Sequence, residues 1–210
     1  MDTIMKMKHL LITIIIGFSI TSCIEHEVIP PPKVKVDLDC SFVGTLQGSN
    51  YTLVAGVGGF FCDATRAKEI LPNPQPSNAR YYAAIRSNEQ MDFFQVKMGS
   101  VLFNAEAGPD PSVEQFGEFF AENPTPEFKK EAHNGVEIVY RDSQGNVFFS
   151  KEDDNTFQSF FLTSVSQESD EEGDYLKFTA NFTCNLYDDP DNPSDTVKVE
   201  DGIYIGYFER

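Results

Sequence analysis

The stretch Leu176–Tyr187, LKFTANFTCNLY, decides the fold. Leu176, Phe178, Ala180, Phe182, Cys184 and Leu186 fall at every second position, with Lys177, Thr179, Asn181, Thr183 and Asn185 between them. Successive side chains leave a pleated strand on opposite sides, so this period of two predicts a β-strand with one core face and one solvated face. The same reading extends outward. Val136–Arg141 and Asn146–Ser150 flank Asp142-Ser143-Gln144-Gly145, a glycine-containing turn, and predict a hairpin. Further strands are predicted near residues 40–46, 51–57, 80–86, 91–98, 157–165 and 202–209. One short helix is predicted near 112–121: Asp110-Pro111-Ser112 opens it, and Val113, Phe116, Phe119 and Phe120 form its apolar stripe. Asn123-Pro124 ends it, because the residue before a proline is pushed out of the helical region. Many short strands with a single helix predict a mostly-β chain, an antiparallel β-sandwich forming one domain over residues 40–210.

Composition agrees with a folded core. Of 210 residues, 40% are hydrophobic and 13% aromatic, which excludes global disorder. Lys and Arg number 16 against 33 Asp and Glu, a net charge of −17. Nucleic-acid binding needs a basic stripe to displace counterions from phosphate, so that class is excluded.

The N-terminus reads as an address. Lys6 and Lys8 precede an apolar run, Leu10–Ile20 (LLITIIIGFSI). The run is too short for the roughly 20 residues of a membrane-spanning helix and suits the apolar region of a signal peptide. Its exit, Ile20-Thr21-Ser22-Cys23, resembles the lipobox of bacterial lipoproteins. That resemblance implies that residues 1–22 are a signal peptide, cut off before Cys23, and that Cys23 carries the lipid. Each buried methylene then contributes about 0.8 kcal/mol, and more than one acyl chain makes the anchor stable. Losing Lys6, Lys8 and Asp2 makes the chain one charge more negative, so membrane contact is expected from the lipid alone. Ile24 stands where an Asp would resemble an inner-membrane retention signal, which implies the outer membrane. Glu25 and Glu27 resemble the acidic export signal of surface-exposed lipoproteins of the Bacteroidota. Residues 23–39 are then the acylated cysteine and a tether, stiffened by Pro30-Pro31-Pro32 in an extended polyproline conformation.

Two further stretches, GVEIVYRDSQGNVFFS (135–150) and FTANFTCNLYDD with VKVEDGIYIGYF (178–189 and 197–208), are similar to the C-terminal half of uncharacterised β-sandwich lipoproteins of the Bacteroidota. The resemblance implies fold and compartment. It supplies no catalytic residues.

The search for chemistry finds little that is assembled. With Cys23 lipidated, Cys40, Cys62 and Cys184 remain; they are either three small buried hydrophobes or one disulfide with a thiol left over. No CxxC occurs, so neither a redox motif nor a zinc site is indicated. His133 is the one histidine of the domain, in a predicted loop, and a lone histidine builds neither a multi-histidine metal site nor a triad. Ala55–Gly59 (AGVGG) leads into Phe60-Phe61 and not a helix, so it reads as a strand end with a bulge or turn, not a phosphate loop. Among the acidic clusters, Asp189, Asp191 and Asp195 offer oxygen ligands for Ca²⁺ in a proline-rich turn, without the EF-hand's central glycine and bidentate glutamate. Charged, solvated hairpin loops are the preferred reading of them, given how many acidic loops the chain has. No spacing selects a carboxylate pair for glycoside hydrolysis.

Phenylalanine is the unusual feature: 19 Phe, 8 Tyr and no Trp. Phe60-Phe61, Phe93-Phe94, Phe148-Phe149 and Phe160-Phe161 fall on predicted strands, where neighbours face opposite ways. Phe61, Phe94, Phe149 and Phe161 are therefore candidates for an exposed partner-binding patch, unless a covering element or bulges turn both rings inward. Tyr81, Tyr82, Tyr204 and Tyr207 are the alternatives to Trp as a sugar-stacking platform. The expected function is a non-enzymatic binding module, lipid-anchored at the outer membrane and facing the cell surface, with no cofactor. The alternative is a carbohydrate-binding accessory protein of a glycan-uptake system.

Overall fold

The computed structural model describes residues 35–154 and 158–210. The expected signal peptide, Cys23 and the tether as far as residue 34 lie outside the described residues. The chain is mostly antiparallel β with one α-helix among the described residues. Its strands are β1 (Ser41–Leu46), β2 (Ser49–Val54), β3 (Phe60–Glu69), β4 (Ser77–Ser87), β5 (Phe93–Phe103), β6 (Gly135–Arg141), β7 (Val147–Ser150), β8 (Ser159–Ser169), β9 (Asp174–Tyr187) and β10 (Thr196–Glu209).

Hydrogen bonding links all ten into one sheet in the order β2-β1-β10-β9-β7-β6-β5-β4-β3, with β8 pairing β9 beside β7. The sheet curls so that its two halves face each other across the core. Phe42 of β1 stacks on Phe94 of β5 at 3.9 Å between ring centroids, and the Tyr204 hydroxyl of β10 donates to the Ala83 carbonyl of β4 at 2.9 Å. A chain of aromatic contacts continues through Tyr204, Phe178, Phe208 and Phe120. The alternation in Leu176–Tyr187 is realised in full: its apolar residues are buried, and every polar one between them is more exposed. Two inward glycines make room for rings, since a Cβ on Gly206 would lie 2.5 Å from the Tyr204 ring and one on Gly202 3.0 Å from Phe182.

Helix α1 (Val113–Glu122) forms where the sequence places it. Ser112 caps it, its Oγ accepting from the Gln115 amide at 3.1 Å while Gln115 Oε1 accepts from the Ser112 amide at 2.8 Å, a reciprocal capping box. Phe116 and Phe120 are fully buried against Tyr81 and Phe208.

Strand β3 was foreseen only at its Phe60-Phe61 start. Its run Phe60–Glu69 (FFCDATRAKE) carries four charged residues with no clean period, and it is held by β4 on one side only. A disulfide between Cys62 of β3 and Cys40, the residue before β1, ties the strand at one end of the sheet to the second strand from the other end. The pairing resolves the cysteine alternatives, and Cys184 remains a buried free thiol whose ionisation burial strongly disfavours.

Candidate functional site

Strand alternation places Arg80, Tyr82, Ala84 and Arg86 of β4 on the outer side of the sheet while Tyr81, Ala83 and Ile85 fill the core. Phe93, Gln95 and Lys97 of β5, Glu137 and Arg141 of β6, and Val147 and Phe149 of β7 share that outer side by register. One outward row runs Phe61–Arg86–Phe93–Arg141–Val147 across five strands. In it Arg86 lies 5.2 Å from the Phe61 ring centre and Arg141 lies 5.5 Å from that of Phe93.

Two rows further along, Tyr82, Lys97 and Glu137 stand side by side. Lys97 and Glu137 are single charges inside apolar strand runs, and each is the other's reason for being there. Lys97 Nζ donates to Glu137 Oε2 at 2.6 Å, and the Glu137 side chain is only 5% exposed. Lys97 Nζ also lies 5.9 Å from the Tyr82 ring and 5.8 Å from Phe149, a cation held against two aromatic rings. The other oxygen of Glu137 accepts from the Glu131 backbone amide at 2.9 Å.

That second bond fixes the loop over the site. Glu131, Ala132 and Asn134 all have left-handed backbones, with φ of 53°, 56° and 53°. Such residues cost of order 1 kcal/mol each and persist where surrounding contacts impose them. Here the contacts are Glu137, the buried Ala132, and Arg80, whose Nη1 donates to the Glu131 carbonyl at 3.2 Å and to its carboxylate at 3.3 Å. Arg80 crosses β5 over Gly99, where a Cβ would come within 2.7 Å of the Arg80 Cγ.

The result is a cleft of about 390 Å³ lined by Arg80, Tyr82, Lys97, Lys130, Glu131, Glu137, Phe149 and Pro190. Pro190 belongs to the 188–195 turn, and Lys130 ties that turn to the loop by donating to Asp191 at 2.8 Å. Burial raises the Tyr82 hydroxyl above its ordinary value, so the ring enters the cleft as a neutral donor. His133 is half exposed at the margin, 3.3 Å from Arg80 Nη1 and 3.8 Å from Glu131 Oε2. Two rings and charges of both signs suit a polar ligand with at least one flat or apolar face.

Of the residues singled out in the sequence, the structure uses several differently. Asp189 Oδ1 accepts from the Asp191 and Asn192 amides, Asp191 pairs with Lys130, and Asp195 accepts from the Thr196 amide at 2.8 Å. The organiser of this turn is Asp188, which accepts from the Ser194 and Asp195 amides at 2.9 Å. No group of three or more His, Cys, Asp or Glu placed to hold a metal occurs among the described residues. Each Phe pair on a strand does split, one ring in and one out, but Phe94 is the inward one of its pair, fully buried against Phe42, and Phe93 is its outward partner. Phe61 and Phe149 lie on the outer side of the β3–β7 half, whereas Phe161 lies on the other half, so the four do not form one patch. Tyr81 and Tyr204 are likewise in the core; Tyr82 and Tyr207 are outward. Arg80, Lys97 and Glu137 were missed. The signal that marks Lys97 and Glu137 is a lone charge inside FFQVKMG and GVEIVY. Comparison of the chain with protein-family models, curated proteins and solved structures finds no match to any of them.

Proposed function

We propose that the protein is a non-enzymatic binding module, held at the outer face of the outer membrane by lipid on Cys23, and that the Tyr82–Lys97–Phe149 cleft receives its ligand. The cleft is the observation that carries this reading: its charges are fixed by a buried carboxylate and its walls are aromatic, so the site is organised before any ligand arrives. His133, at the margin of the cleft, contacts Arg80 and Glu131. A glycan ligand is the second reading. It is favoured by Tyr82 and Phe149, rings that stack against sugar faces, beside Arg80, Lys97 and Glu131, which bond to hydroxyl groups.

The anchor is tested by metabolic labelling with palmitate, where Cys23→Ala should abolish incorporation. The cleft is tested by titrating the purified protein with a panel of neutral and acidic oligosaccharides. Binding that Tyr82→Ala and Phe149→Ala each weaken at least tenfold supports the glycan reading. Binding unchanged in both variants removes the cleft from it.

A further inference from the structure

The outward side of the other half of the sheet has a different character. Phe161, Asn181, Ile203, Val43 and Thr52 stand in register on five neighbouring strands, β8, β9, β10, β1 and β2. The adjacent row is Ser164, Thr179, Ile205, Ser41 and Val54. Neither row holds a charge, in a chain of which 23% is charged. Val43, Val54, Phe161, Ile203 and Ile205 are each between 37% and 47% exposed. Exposed apolar side chains set among uncharged Ser, Thr and Asn form a surface depleted of charge, as the core of an interface is.

Both ends of this strip are acidic. Ile205 shares a hollow with Asp37, Asp39 and Lys177, the lysine being paired with Glu168 at 3.3 Å, while Phe161 and Ile203 share another with Asp201. All three aspartates are exposed and make no ion pair or hydrogen bond among the described residues. Asp39 precedes Ser41, the partner of Ile205, by two residues, so the step along β10 from the Asp201 end to the Asp39 end is about six residues, roughly 20 Å at strand rise.

We propose that this face docks a second polypeptide whose contact surface is apolar in the middle and carries Lys or Arg at each end. The charges choose the occupant. A second copy of the chain would set net acid against net acid in either orientation, because the one cation at either end, Lys177, is already paired with Glu168. An anionic lipid surface would meet the same repulsion, with only Lys177, already paired with Glu168, to offset it. A cation-flanked partner turns the unpaired carboxylates into steering groups and register marks. This surface lies on the other half of the sheet from the cleft and does not depend on the cleft's ligand.

The test is site-specific photo-crosslinking of the anchored full-length protein in its host's membranes, with benzoylphenylalanine at position 203 and, as control, at exposed position 70. The expected result is an adduct with a different polypeptide from position 203 alone. Its yield should fall several-fold in high salt, where the Debye length shrinks to about 3 Å at 1 M, and in Asp37→Asn/Asp39→Asn/Asp201→Asn protein of unchanged melting temperature. Tyr82→Ala and Phe149→Ala should leave it unaltered, which separates this surface from the cleft. Adducts only with a second copy or with lipid, no adduct from position 203, or a yield indifferent to salt and to the triple substitution would each overturn the proposal.

Discussion

Replacing both Cys40 and Cys62 by alanine tests the closure of the sheet. The two cysteines are 22 residues apart in sequence, and their Cα atoms lie 5.8 Å apart, within the ordinary span of a disulfide. Cross-linking a loop of that length removes unfolded-state entropy worth about 3 kcal/mol. For a chain of this size that corresponds to a fall in Tm of roughly 6–12 °C, at about 2–4 °C per kcal/mol. The assay is a thermal melt of wild type and the Cys40→Ala/Cys62→Ala variant, each with and without reductant. Reductant should lower the wild-type Tm to near that of the variant and leave the variant unmoved. Thiol titration under denaturing conditions supplies an independent count: with Cys23 replaced by alanine, one thiol should react before reduction, that of Cys184, and three after it. Three reactive thiols without reduction, or a variant within about 1 kcal/mol of wild type, would refute the reasoning.

Other perturbations have equally definite outcomes. Glu137→Leu leaves Lys97 and the Glu131 amide without their buried partner and should cost about 3–5 kcal/mol in urea unfolding. Stability should also decline as pH drops below about 4. Asp188 ionises well below the ordinary range when folded, through Ser194 and the adjoining amides, and Asp174 is lowered too, through Ser169 and Arg210. Carboxylates lowered in this way stabilise the fold above their unfolded value, and that contribution is lost as pH falls through the folded one. Urea midpoints at pH 7 and pH 3 measure the decline, and Asp174→Asn should flatten it. Gly206→Ala pushes a methyl group into the fully buried Tyr204 ring and should cost about 1–3 kcal/mol by the same unfolding assay.

Local pattern and long-range pairing differ in how far they can be read from the chain. The alternation in β9 and the Ser112 cap are written in adjacent residues, so both emerge from periodicity alone. Strand β3 has no such period because one of its edges is unpaired and its charges find partners across the ladder, as Arg86 does with Asp63 at 2.8 Å. The cleft was hidden for the same reason. Lys97 and Glu137 are 40 residues apart and become a pair only when β5 and β6 fall into register. The Phe pairs drew notice by their repetition, yet the broad apolar face was written in DGIYIGYF, where Tyr204 and Phe208 point inward and Ile203 and Ile205 outward. A strand apolar on both sides is a sign of surface contact that an emphasis on aromatic residues passes over.

The pairing of β1 with β10 sets a condition on biogenesis. Ser41 lies opposite Ile205, so β1 acquires its neighbour on the inner side only after the chain has been made as far as β10. Contacts between such distant residues form late, because closing so large a loop must precede any gain from it. A nascent chain lacking its last fourteen-residue strand cannot complete the sheet. The topology thus holds the domain short of its native state until residues 196–209 have been made and can pair with β1 and β9.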